Sequence, residues 1–275
     1  AQTYLEQSSA SLFTLKEKFN TQRKIKSYFD NKSDDKSNLI REGLYMICND
    51  VLFIADTSKP DHYHPRISAS SSYVYQDMNN SDCYAFDFLY WNYFYQRHND
   101  FWKEQGLKKL TPLVASTDML VCGEDLGMIP HSVPEVMQKL QILSLEIERM
   151  PKESHVDFTN LHTLPYLSVC MPSTHDMSTL RGWWKENKES TQRYYNQVLQ
   201  REGDAPERCD SDICEQIIRH HLEAPSLLTI IPLQDWLSID MQLRRENEDD
   251  DRINIPANSR HNWNYRMHIT LEALI

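Results

Sequence analysis

The run Met119-Leu-Val-Cys-Gly-Glu-Asp-Leu-Gly127 passes from four apolar residues straight into two carboxylates held between glycines. Three later stretches repeat the design. Ile142–Ile147 runs into Glu148-Arg149, Tyr166–Met171 into Ser173-Thr-His-Asp176 after one proline, and Leu227–Leu233 into Gln234-Asp-Trp-Leu237. Apolar runs of four to seven residues that end on polar clusters read as buried strands whose C-terminal ends carry chemistry.

Helical segments separate these runs. A helix is expected from Ser132, where Ser-Val-Pro-Glu offers a capping box with Pro134 inside the first turn. Its buried stripe is Val133, Val136, Met137 and Leu140. Helices are also expected at about 189–201 and 211–222, the second favoured by Ser211 and Asp212 at its positive end. Strands alternating with helices predict an α/β fold with a parallel sheet. Four such units make the C-terminal half of a (β/α)8 TIM barrel, in which strand C-termini build the active site. Residues 119–275 form this half-barrel. Residues 1–118 read as a helical and loop-rich lead-in, belonging to the barrel or inserted in it. It holds a strand at Val51–Ala55 and aromatic-dense helices over 82–110 with large buried side chains.

Composition narrows the function. The 275 residues are 40% hydrophobic and 25% charged, ordinary for a globular chain able to bury a sizeable core. The net charge of -11 argues against a nucleic-acid partner, which demands clustered Lys and Arg. No apolar run approaches the roughly eighteen residues that span a bilayer, so no membrane partner is expected. The six cysteines form no C-x-x-C pair and read as thiols of a reducing, cytoplasmic setting. No metal or cofactor is expected: His62 and His64 lack further ligands at suitable spacing, and no Walker loop or dinucleotide fingerprint occurs.

Two clusters carry the chemistry. Glu124, at a strand end in a partly apolar setting, suits proton donation; a surface turn with two solvated acids would read the same way. His175 and Asp176 place a donor beside an acceptor, as needed to hold sugar hydroxyls, although Asp176 could equally cap a following helix. Amides and indoles in Asn254-Ile-Pro-Ala-Asn258 and His261-Asn-Trp-Asn-Tyr-Arg266 could line a sugar groove, as could the 6 Trp and 14 Tyr, which fill ordinary cores equally well.

In this order, Gly-Glu-Asp-Leu-Gly at 123–127, Ser-Thr-His-Asp at 173–176, Gln-Asp-Trp-Leu at 234–237 and Asn-Trp-Asn-Tyr-Arg at 262–266 resemble glycoside hydrolase family 77. These are the 4-alpha-glucanotransferases, also called amylomaltases or disproportionating enzymes. Leu143–Pro151, Arg41–Asp56 and His64–Ser68 are most similar to the maltose-using disproportionating type. The resemblance covers roughly residues 40 to 275. It implies a barrel of the alpha-amylase kind and a retaining mechanism, with maltose, maltooligosaccharides and α-glucan as partners. It also implies Glu124 as general acid/base, Asp176 as the carboxylate that stabilises the transition state, and His175 as its subsite partner. Asp125, Gln234, Asn262 and Arg266 match motif positions with supporting, substrate-binding roles.

One motif departs from the family pattern. The nucleophile belongs to an Arg-Ile-Asp-type motif ahead of the acid/base, yet Arg66-Ile67 is followed by Ser68. Asp56 ends an apolar run in the wrong context, Phe-Ile-Ala-Asp-Thr. The expectation is a chain truncated before Ala1, inactive alone and self-associating through its uncovered edges. The alternatives are a non-catalytic α-glucan-binding fragment and an α-glucan hydrolase of the same clan.

Overall fold

The computed structural model describes residues 3–7, 13–127, 129–153, 155–260, 263 and 265–274. The chain divides after Arg97 into two compact units.

In the first unit, β1 (Leu5–Gln7) and β2 (Phe13–Leu15) pair antiparallel, followed by α1 (Gln22–Phe29) and α2 (Asp35–Asn49). Thr21 and Asp34 cap these helices by accepting the backbone N–H of Lys24 and Ser37. Phe19, Ile25, Phe29 and Leu44 form the small core they enclose. β3 (Phe53–Ala55) and β4 (Tyr63–Pro65) make a second hairpin, followed by α3 (Tyr73–Gln76) and α4 (Asn80–Trp91). The aromatic-dense helices exist, but their expected burial does not hold. On α4, Phe86 is buried against Phe53, Tyr75 and Tyr90, while Tyr84, Phe88 and Trp91 are exposed. A side chain gains from burial only where a second apolar surface meets it, and α4 has one on the Phe86 side.

The second unit opens with α5 (His98–Ala115), packed against α6 (Ser132–Leu140). The expected capping box at Ser132 is not made. Ser132 lies inside the helix, its N–H donates to Asn99 Oδ1, and Glu135 pairs with Lys103 instead. Val136 and Met137 are buried as the periodicity requires, with Val133 and Leu140 half-buried. A parallel sheet follows: β5 (Ser144–Ile147) pairs with β6 (Ser168–Met171), in register from Ser144 opposite Ser168 to Ile147 opposite Met171. Cys122 bridges Leu143 in the same parallel sense, so the run ahead of Glu124 adds a further segment at that side.

Next come α7 (Leu180–Glu186), α8 (Lys188–Gln197) and α9 (Ser211–Leu222). Leu180, Trp184, Tyr194, Leu199, Ile213 and Ile217 form the main core of the unit. The strand expected over Leu227–Leu233 shrinks to β7 (Leu228–Thr229), parallel to β6. Pro232 ends it, because a residue without an N–H cannot extend the ladder, and α10 (Leu233–Leu237) begins at once. The result is an α/β fold with four parallel segments in consecutive order. Among the described residues, no helix is long and apolar enough to cross a membrane.

Candidate active site

Parallel strands point their C-terminal ends to one edge, so Glu124, Glu148-Arg149 and Ser173–Asp176 emerge on the same side of the sheet. With strands about 4.8 Å apart, the backbone exits leading to Glu124 and Asp176 lie about 10 Å apart, two strands along.

Glu124 sits between two glycines whose roles differ. A Cβ on Gly123 would come within 2.9 Å of Met137 Cε, so the absent side chain lets this segment lie flat against α6. Gly127 has φ of +81°, which turns the chain back after the acidic pair. Glu124 is exposed; its Oε1 accepts the N–H of Leu126 at 3.0 Å, and it borders a cleft of about 590 Å³ also walled by Trp102, Leu110, Leu113 and Met137. Asp125 also borders this cleft, but it is buried and its carboxylate is fully engaged. Its Oδ1 accepts the N–H of Leu145, and its Oδ2 accepts Lys152 Nζ at 2.7 Å. Lys152 also donates to Glu146 Oε1 at 2.7 Å. Asp125 therefore ties the Glu124 turn to β5, and the two adjacent acids divide into an exposed one and an anchored one.

The second cluster centres on Asp176. His175 Nε2 lies 3.2 Å from Asp176 Oδ2, and Asn254 Nδ2 donates to Oδ1 at 2.6 Å. The His175 ring lies against Trp263, centroids 4.7 Å apart at 37°. Trp263 is exposed with φ of +57°, a left-handed conformation that costs a bulky residue about 1–3 kcal/mol. Asp176 caps no helix: Thr179 caps α7 by accepting the N–H of Gly182. The carboxylate is thus left half-exposed beside an imidazole, an amide and an indole, an arrangement suited to the hydroxyls and apolar face of a sugar ring.

The loop carrying this cluster is clamped twice. Asp235, fully buried, accepts the Ser173 hydroxyl at 2.5 Å through Oδ2 and the Leu180 N–H at 2.8 Å through Oδ1. Burial pushes its carboxyl above the usual carboxylate range, against the pull of these two donors. Arg149 donates to the carbonyls of Pro172 and Ser178 and lies over the Trp183 ring. Its guanidinium is lowered to about 10 by burial. Arg252 holds the partner segment, donating to the Ser178 hydroxyl and to the carbonyl of Asn254.

The sequence pointed to the neighbours of several of these residues. Gln234 is buried on α10, and it is Asp235 beside it that reaches the loop. Arg266 is exposed, and its backbone carbonyl accepts from Arg245. Asn262 lies outside the described residues. Asn254 and Trp263 stood in the two stretches whose amides and indoles could line a sugar groove, but only the fold carries them to Asp176. The signal for Arg149 and Asp235 was their position directly after an apolar run.

A family model described as 4-alpha-glucanotransferase matches residues 42–271. The chain belongs to the 4-alpha-glucanotransferase family. It is 34% identical over 280 residues to the 4-alpha-glucanotransferase DPE2 of Oryza sativa subsp. japonica, covering 100% of this chain and 30% of that one. The 4-alpha-glucanotransferase of Chlamydia pneumoniae is 32% identical over 177 residues, 62% of this chain and 32% of its own length. Among solved structures, amylomaltase from Streptococcus agalactiae in complex with acarbose aligns at a TM-score of 0.48 and 20% identity, over 62% of this chain and 32% of that one. The chain thus spans about a third of the length of these 4-alpha-glucanotransferases.

Proposed function

We propose that the protein is part of a retaining 4-alpha-glucanotransferase that moves α-1,4-linked glucosyl units from maltose or maltooligosaccharides to glucan acceptors. In this reading Glu124 is the acid/base, and Asp176, partnered by His175, stabilises the transition state. The observation that carries it is the Asp176 cluster: a carboxylate held by Asn254 at 2.6 Å, beside an imidazole lying against an exposed indole. The exit of Glu124 on the same sheet edge supports it. The four consecutive parallel segments support a share in a (β/α)8 barrel of the alpha-amylase kind, and the six free thiols support a cytoplasmic setting.

Retention requires a second carboxylate about 5–5.5 Å from the acid/base to form the glycosyl-enzyme intermediate. Asp56, the chemically eligible upstream residue, is engaged elsewhere. Its Oδ1 accepts the N–H and hydroxyl of Ser58, and its Oδ2 lies 3.1 Å from His64 Nε2. These contacts hold its carboxyl far below the usual range. The chain in isolation is therefore proposed to bind α-glucan without transferring it, and to self-associate through its open sheet edges.

The test pairs binding with turnover. Calorimetry with maltoheptaose should detect binding that Asp176→Asn and Trp263→Ala weaken, while Glu124→Gln leaves folding unchanged. A maltose-to-glycogen transfer assay on the same chain should give no glucose. Absence of oligosaccharide binding would overturn the site; robust glucose release would overturn the proposed lack of a nucleophile.

A further inference from the structure

Cys209 and Cys214 stand apart from the other four cysteines. Cys209 precedes α9 and Cys214 lies in its first turns, and their Sγ atoms are 3.2 Å apart. Both are buried in the core that holds Trp184 and Tyr194. A disulfide needs sulfurs about 2.05 Å apart, so closure asks for roughly 1 Å of movement in a loop-to-helix junction rather than a change of fold.

We propose that Cys209 and Cys214 are a redox-active pair that a small peroxide closes to an intrachain disulfide, stapling the start of α9 to the loop before it.

The two thiols are chemically unequal. Cys214 Sγ donates to the Cys209 carbonyl at 3.8 Å and lies 3.2 Å from Cys209 Sγ, and the neighbouring Cys209 thiol, Ser238 and Arg181 pull its thiol down against the opposing effects of burial and Asp235. Burial pushes Cys209 up, with Asp210 and Asp235 adding to it. Cys214 is therefore the attacking sulfur, since the thiolate is the nucleophile. Its thiolate attacks one peroxide oxygen and the O–O bond breaks. The departing hydroxide takes up the proton that Cys214 lost, giving water and a Cys214 sulfenic acid. Cys209 Sγ then attacks the Cys214 sulfur, the S–O bond breaks, and the hydroxyl leaves with the Cys209 proton as a second water. The two thiols lose two electrons and hydrogen peroxide is reduced to two waters.

Burial also selects the oxidant. Hydrogen peroxide is small and uncharged, whereas glutathione disulfide needs an open path to the sulfur. Cys122 is exposed and has that path. Cys170 is buried, and its thiol is pushed up to about 12 by burial and by Glu148 and Glu146, which removes it from competition.

The experiment treats the full chain with stoichiometric hydrogen peroxide or with glutathione disulfide, followed by non-reducing peptide mapping. The expected result with peroxide is loss of two of the six thiols, with a peptide linked between Cys209 and Cys214 that dithiothreitol releases. Glutathione disulfide should label Cys122 and leave this pair reduced. In Cys209→Ala, dimedone added together with denaturant after the peroxide should trap a sulfenic acid at Cys214; in Cys214→Ala, Cys209 should stay reduced. Recovery of both Cys209 and Cys214 as free thiols after peroxide overturns the proposal, as does linkage of either to another cysteine. The mapping uses the unsubstituted chain, so it decides the matter even if a variant fails to fold.

Discussion

Asn254 donates its side-chain amide to Asp176 at 2.6 Å across 78 residues of chain, fixing one carboxylate oxygen while His175 faces the other. Under the proposed function this carboxylate meets a sugar in one orientation and gains from such a fixed partner, because orientation is settled before the ligand arrives.

Asn254→Ala should free the Asp176 carboxylate and weaken maltoheptaose binding by about tenfold to a hundredfold, as expected for losing a hydrogen bond to a charged group. Thermal stability should change little, since Asp176 is half-exposed and water can replace the amide. Calorimetry alongside a melting curve separates the two effects.

Asp235→Asn should act the opposite way round, on stability first. Both oxygens accept hydrogen bonds in a fully buried site; an amide keeps one acceptor for the Leu180 N–H, but its NH2 forces the Ser173 hydroxyl to turn from donor to acceptor and gives up the charge-assisted bonds. The expected cost is about 1–3 kcal/mol in urea unfolding. Reduced oligosaccharide affinity should accompany it, because the loop bearing His175 and Asp176 loses its anchor.

Lys152→Met should leave Asp125 and Glu146 as buried carboxylates without their shared cation. Removing one partner from such a network costs about 3–5 kcal/mol. Adding Asp125→Asn and Glu146→Gln to Lys152→Met should recover much of this, and non-additivity in denaturant unfolding would reveal the coupling.

The pair Glu148 and His221 should show opposed pH dependences once separated. The Tyr194 hydroxyl donates to Glu148 Oε2, and His221 Nε2 lies 4.0 Å from the same oxygen. Burial pushes Glu148 up to about 7 and His221 down to about 4, from ordinary values of 4.5 and 6.5. Between pH 4.5 and 6.5 the folded chain keeps its proton on Glu148 and the unfolded chain keeps it on His221. Each binds one proton, so the pair leaves stability level across this window. In His221→Gln, the folded state alone holds the extra proton, and stability should fall as pH rises from 4.5 to about 7. In Glu148→Gln, the unfolded state holds it, and stability should rise with pH from about 4 to 6.5. Each slope is bounded by about 1.4 kcal/mol per pH unit. Urea titrations of both variants at several pH values check the signs; equal slopes would refute the exchange.

Local order was written in the sequence by itself. The strand runs before Glu148 and Pro172, the amphipathic helix bearing Val136 and Met137, and the glycines around Glu124 follow from periodicity, burial and backbone freedom, which act over a few residues. Motif order likewise carried the family. Which acid stays exposed and which becomes an anchor was not legible, because Glu124 and Asp125 differ only in what the fold sets against them: solvent for one, Lys152 and Leu145 for the other. The same holds for Asn254, Trp263 and Asp235, whose roles come from contacts with residues far along the chain. Periodicity records which face is apolar, but a hydrogen bond or a ring contact across the sheet edge exists only once tertiary packing has fixed both partners.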